Sequence, residues 1–192
     1  SLITPIAATY YRAGSAEKGG KLATQLAEKY ADKLSYYESF SAADQQLYAE
    51  TILVDVERYR AVVDVAVNAK DTAAASTLIK DFIENTRQFA PLYSAYEYYT
   101  PMTSYVSELF AANMPESGRL LYNAIAQVYQ NRLTLFSQVP EEELTYYKES
   151  IELEIRAYQR ILERYQILEP NLDSVSEANK DFRKATSPYT SD

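Results

Sequence analysis

Residues 41–69 read SAADQQLYAETILVDVERYRAVVDVAVNA. Their apolar side chains fall at Tyr48, Ile52, Val56, Tyr59, Val63 and Ala66, three or four positions apart. That spacing gathers them on one stripe of an α-helix, whereas a strand would alternate. Ser41 followed by Asp44 predicts an N-terminal cap, so a long helix is expected over 41–69. Upstream, Leu22, Leu26, Tyr30, Leu34 and Tyr37 form a similar stripe within 16–37. A short helix is expected over 2–13, with Pro5 in its first turn and Gly14 as its stop. Downstream, Asp71 is the expected cap of an Ala-rich helix over 72–89 ending at Pro91.

The same layout returns 99 residues later. Thr4, Ala13, Glu17, Gly19, Leu22 and Ala27 meet Thr103, Ala112, Glu116, Gly118, Leu121 and Ala126. Tyr30, Leu34, Tyr48, Glu50, Ile52 and Tyr59 meet Tyr129, Leu133, Tyr147, Glu149, Ile151 and Tyr158. The stripes recur as Leu121, Ile125, Tyr129, Leu133, Phe136 and as Tyr147, Ile151, Ile155, Tyr158, Leu162, Tyr165. Pro101 opens a helix, Met114-Pro115 and Val139-Pro140 break the chain, and Glu169-Pro170 ends the long helix. Ser174 and Glu177 suggest a capping box for a last helix over 174–185. The expectation is an all-α protein of stacked antiparallel helix pairs with an internal duplication. One copy would span 1–91, a Tyr/Pro-rich junction 92–101, a second copy 102–185 and a tail 186–192.

The composition of the 192 residues narrows the chemistry, because the chain has no Cys and no His. Disulfides, thiolate nucleophiles, imidazole bases and zinc sites built on those ligands are excluded. Four glycines cannot supply a phosphate-cradling loop of the usual patterns. A net charge of −8, with no basic patch larger than Arg183-Lys184, argues against nucleic acid as a partner. The longest apolar run, 61–67, is interrupted by Asp64, so no segment is expected to span a bilayer. The absence of Cys suits any compartment. An opening at Ser1 without Met suggests a fragment or a processed product.

Tyr10, Gly14, Glu17-Lys18-Gly19 and Ala23 resemble part of a tetratricopeptide repeat. The pattern is a tyrosine near the end of one helix, a turn glycine and a small residue early in the next. The helix over 41–69 is too long for a regular array, so the resemblance implies a tetratricopeptide-like arrangement only. A second resemblance covers residues 3–83. Pro5, Tyr10-Tyr11, Gly14, Glu17-Lys18, Tyr30, Leu34 and Tyr36-Tyr37 are similar to the C-terminal soluble region of a bacterial polytopic membrane family related to protein O-mannosyltransferases. The second copy departs from this pattern, with Asn113-Met114-Pro115 at the glycine turn and Leu135-Phe136 at the Tyr pair. Transferase chemistry in that family belongs to its membrane-embedded part. The resemblance therefore implies an accessory domain, not an enzyme, on the extracytoplasmic (periplasmic) face of a bacterial inner membrane. It would be tethered to a membrane domain without inserting itself. The alternative is a free-standing tetratricopeptide-like adaptor that binds a peptide.

Tyrosine stands out, at 19 of 192 residues. The pairs Tyr30/Tyr129, Tyr48/Tyr147 and Tyr59/Tyr158 read as packing residues. Tyr93, Tyr96, Tyr98, Tyr99 and Tyr105 crowd the junction and cannot all share one stripe, which makes them the candidate protein- or glycan-binding surface. No catalytic residue, metal or cofactor is expected. Glu141, Glu142 and Glu143 suit the start of a helix. Glu152 and Glu154 point apart and read as a solvated face.

Overall fold

A computed structural model describes residues 3–190, and every regular element among them is helical. The chain divides into two compact units, Ser1–Ala95 and Tyr96–Asp192. The division falls inside the stretch 92–101.

In unit 1, α1 (Ile3–Arg12) stops where Gly14 takes a positive φ of 74°, a backbone state that costs glycine nothing. The Gly14 and Ser15 N–H groups donate to the carbonyls of Tyr11 and Tyr10. The chain then enters α2 (Ala16–Glu38), which packs on α1. A Cβ on Gly19 would lie 2.8 Å from the Tyr11 ring, so the absent side chain sets how closely the two helices approach. Ser41 caps as expected, accepting from the Asp44 N–H at 3.2 Å. The helix it starts is short, however. It forms α3 (Ala42–Leu47), and the chain re-enters helix at α4 (Ala49–Asn68) after Tyr48 departs from helical geometry. Ile52, Val56, Tyr59, Val63 and Ala66 are all buried, and α4 packs against α2 and α5 (Thr72–Thr86). Asp71 caps α5, accepting from Ala74 N–H at 3.2 Å. A 3-10 segment, Arg87–Leu92, then carries Pro91. The expected helix over 72–89 ends earlier, at Thr86, because the chain tightens into this narrower helix before the proline.

From Ala95, the last residue of unit 1, the chain runs through the short α6 (Ala95–Tyr99) into a 3-10 turn, Thr100–Met102. Pro101 sits inside that turn, and α7 (Thr103–Ala111) follows it. Then come α8 (Pro115–Phe136), α9 (Glu141–Leu168) and α10 (Leu172–Thr186). Pro115 stands in the first turn of α8 and Pro140 immediately before α9, where a missing N–H costs nothing. The cap of α10 is Asn171, not Ser174. Its side-chain oxygen accepts from the N–H groups of Asp173 and Ser174 at 3.0 and 3.2 Å. The helix thus starts two residues earlier than the serine suggested, since an Asx side chain at the turn competes well for the first free amides.

Several local contacts of unit 1 recur in unit 2, most of them 99 residues further on. Gly14 and Asn113, 99 apart, both have positive φ. Gly118 backs onto the Phe110 ring as Gly19 backs onto Tyr11. Tyr30 stacks on Tyr59 with centroids 6.3 Å apart, and Tyr129 stacks on Tyr158 at 5.7 Å. Lys33 reaches Asp55 at 2.6 Å, and Arg132 reaches Glu154 at 2.7 Å. In the last helix of each unit the spacing becomes 100. Phe82 meets Tyr59 edge-on, and Phe182 meets Tyr158 in the same way. Thr86 and Thr186 each donate to the carbonyl of that phenylalanine.

Candidate functional site

The five junction tyrosines have different surroundings. Tyr98 and Tyr105 are buried, at 2% and 0% exposure, and offer no face to a partner. Tyr93 is half-buried in unit 1, where its hydroxyl bonds the Leu53 carbonyl at 3.3 Å and Glu57 at 3.1 Å. Tyr96 is half-buried in unit 2, edge-on to Tyr129, with the Arg132 guanidinium 4.2 Å above its ring. Tyr99 is half-buried and meets Tyr98 edge-on at 4.7 Å. Two of the five are therefore closed to solvent, and the other three keep part of their surface exposed. The expected packing tyrosines Tyr48 and Tyr147 are 47% and 41% exposed, at equivalent places near the starts of α4 and α9. Their rings lean on Phe40 and Phe136.

The carboxylates of α9 divide as well. Glu141, Glu142 and Glu143 occupy its first turn and are exposed, where negative charge faces the helix dipole favourably. Glu152 is exposed and pairs with Arg156 at 3.3 Å. Glu154 corrects the solvated-face expectation: it is buried and held by Arg132. Position 154 corresponds to the buried Asp55 of unit 1, so the fold places an acid here on the α8 side of the helix. Among the described residues no three acidic side chains converge as a metal site, and no described helix is long and apolar enough to cross a membrane.

A cavity lies in unit 2 between α8, α9 and α10, with a volume of about 250 Å³. Asn123, Gln127 and Gln130 line it from α8, Tyr158 and Tyr165 from α9. Ser174, Glu177 and Asp181 line it from α10. At one end Arg119 forks onto Glu169, which also accepts from the Tyr165 hydroxyl at 3.2 Å and the Asn171 N–H at 2.8 Å. Burial pushes the Glu169 carboxyl up, but Arg119, Asn171 and Tyr165 together outweigh it and hold it below the usual glutamate value. Deeper in, Tyr122 and Tyr165 stack face to face at 3.8 Å. Gln130 donates to the Tyr158 hydroxyl at 2.9 Å. The Tyr122 hydroxyl is buried and has no hydrogen-bond partner among the described residues. Burial, with Tyr158, Tyr165 and Asp181 nearby, pushes its ionisation far up, so it stays a neutral hydroxyl.

At the end of this cavity the Tyr165 hydroxyl donates to the Glu169 carboxylate, which Arg119 also holds. The lining offers amides, hydroxyls and carboxylates, groups that can hydrogen-bond a ligand. Tyr122 was not legible as a site residue, because a tyrosine at that position reads as another residue of the core. No protein-family model, no curated protein and no solved structure matches the chain.

Proposed function

We propose that the chain is an internally duplicated, tetratricopeptide-like module without reactive chemistry of its own, which works by contacting a protein or a glycan. The observation that carries this reading is the recurrence of one set of contacts 99 or 100 residues apart. The turn, the close glycine, the tyrosine stack, the ion pair and the edge-on phenylalanine all return in order. A repeated helical scaffold devotes its residues to surface shape, which suits recognition. The sequence resemblance supports placing the module beside a membrane glycosyltransferase-like protein, on the extracytoplasmic side.

The test is to offer the purified chain to arrays of oligosaccharides and of short peptides, and to examine every retained ligand by mass spectrometry. Saturable retention of one class, with the ligand unchanged, is the expected result. Retention of neither class overturns the contact role, and a chemically altered ligand overturns the non-catalytic one. The membrane association is tested on the gene. A reading frame without several apolar spans of about 20 residues near this segment removes it.

A further inference from the structure

We infer that the cavity between α8, α9 and α10 is a docking site for a cationic side chain, arginine or lysine, presented by an extended segment of a partner protein. This rests on the contact role proposed above and gives it a place and a ligand chemistry.

The argument begins with what distinguishes the two units. In unit 1, Gly20 lets α2 touch α5, since a Cβ there would lie 3.1 Å from Asp71 and 3.5 Å from Ala74. Unit 2 carries Arg119 at the equivalent place, Tyr122 where unit 1 has Ala23, and Gln130 where it has Ala31. These larger side chains stand between α8 and α10. On α10 the change runs the other way, with Ala178 at the place of the fully buried Leu78. Larger residues on one wall and a smaller one on the other leave the cavity in unit 2.

The lining then selects the ligand. The unpartnered Tyr122 hydroxyl, 2% exposed, must gain a partner or forfeit a hydrogen bond in a place water reaches poorly. Glu177 and Asp181, both exposed, lie one turn apart on the same side of α10 and form no ion pair among the described residues. Arg119, the cation at the rim, is already engaged by Glu169. Glu177 and Asp181 can only accept, and the Tyr122 and Ser174 hydroxyls and the lining amides can accept as well as donate. The rings of Tyr122, Tyr158 and Tyr165 are 2%, 0% and 1% exposed, so no aromatic face is offered for sugar stacking. Unit 2 holds nine Lys and Arg against fifteen Asp and Glu, a net of −6, which draws a basic segment toward it. Asn123, Gln127 and Gln130 follow one another along α8 and present amides to the backbone on either side of the inserted side chain.

The test is fluorescence anisotropy on the full chain with short labelled Gly/Ser peptides bearing one arginine, one lysine or one citrulline. Arginine and lysine peptides should bind saturably, and citrulline, neutral but of the same shape, about tenfold more weakly. Asp181→Asn and Glu177→Gln should each weaken the arginine peptide about tenfold, while Glu141→Gln, which removes an equal charge elsewhere, leaves it unchanged. Ala178→Leu restores the unit 1 residue and should abolish binding; if that variant does not fold, the exposed carboxylate variants carry the test. The inference is overturned if citrulline binds equally, or if a folded Ala178→Leu protein keeps full affinity. It is equally overturned if free arginine amide or spermidine matches the peptide, or if no peptide saturates. Array retention that survives Ala178→Leu leaves the contact role standing while this site falls.

Discussion

Arg119 holds Glu169 through two hydrogen bonds, Nε to Oε2 at 2.6 Å and Nη2 to Oε1 at 3.2 Å. The carboxylate side chain has no exposed surface and accepts two further bonds, from Tyr165 and from Asn171. One residue thus ties the start of α8 to the end of α9 and the entry to α10. Its folded ionisation lies below the ordinary value. Such a group contributes stability in full above the unfolded glutamate value of about 4.3, and that contribution is lost as pH falls through the lower folded value. The wild-type chain should lose stability steeply in that acid range, and Glu169→Gln should flatten the dependence. Urea denaturation at a series of acid pH values measures it. Parallel curves for the two proteins would contradict this role for Glu169.

Gly19 and Gly118 make a second prediction. A methyl group at either position meets an aromatic ring of the preceding helix, at 2.8 Å for Tyr11 and 2.7 Å for Phe110. The Tyr11 contacts include the ring atom nearest its backbone, so the ring cannot swing clear without moving α1. Gly19→Ala and Gly118→Ala should each destabilise by about 1–3 kcal/mol despite the better helix propensity of alanine. Equilibrium denaturation of the two variants checks it. A gain in stability at either site would mean that the helices are not held at this separation.

The fold class was legible because amphipathic stripes depend only on spacing, and Ile52, Val56, Tyr59, Val63 and Ala66 occupy the buried face that their period requires. Helix ends were less legible. Ser41 and Asp71 cap as their sequence positions suggest. Asn171 displaced Ser174, and Tyr48 interrupts a stripe whose period runs through it unbroken. The ion pairs shared by the two units were hidden for a different reason. Lys33/Asp55 and Arg132/Glu154 preserve charge sign while changing residue type, so a comparison by identity passes over them. The cavity arises from differences between aligned positions, chiefly Ala178 against Leu78, and those become informative only once the packing is known.

The turn between the first two helices of each unit gives a third prediction. Gly14 has φ 74° and Asn113 has φ 58°, and nothing lies within 4 Å of a Cβ built on Gly14. Any cost of substitution there is therefore a backbone cost. Asparagine tolerates this conformation better than other non-glycine residues, because its side chain bonds locally. Gly14→Ala should cost about 1–2 kcal/mol, and Gly14→Asn distinctly less. Thermal melting of both variants decides it, and equal losses would show that the strain is not what glycine relieves at this turn.

The tyrosines supply the last prediction, in alkaline solution. Burial pushes Tyr165 up to about 12, with Glu169 adding to it, and raises Tyr129 to about 12 with help from Tyr96 and Glu154. Burial also raises Tyr59 and Tyr122, and by more. An ordinary tyrosine ionises near 10. A group whose folded value lies above its unfolded value contributes stability that is complete below about 10 and disappears as pH climbs through the folded value. Ultraviolet titration of the folded chain should therefore show a late class of tyrosines that ionises only near and beyond pH 12, as helical circular dichroism is lost, whereas the urea-unfolded chain completes its titration near 10. Tyr165→Phe should remove amplitude from the late class. It also deletes one hydrogen bond to Glu169, so it should lower stability at neutral pH by about 1 kcal/mol. If every tyrosine of the folded chain ionised together near 10, before the helices melt, the interior placement of these rings would be wrong.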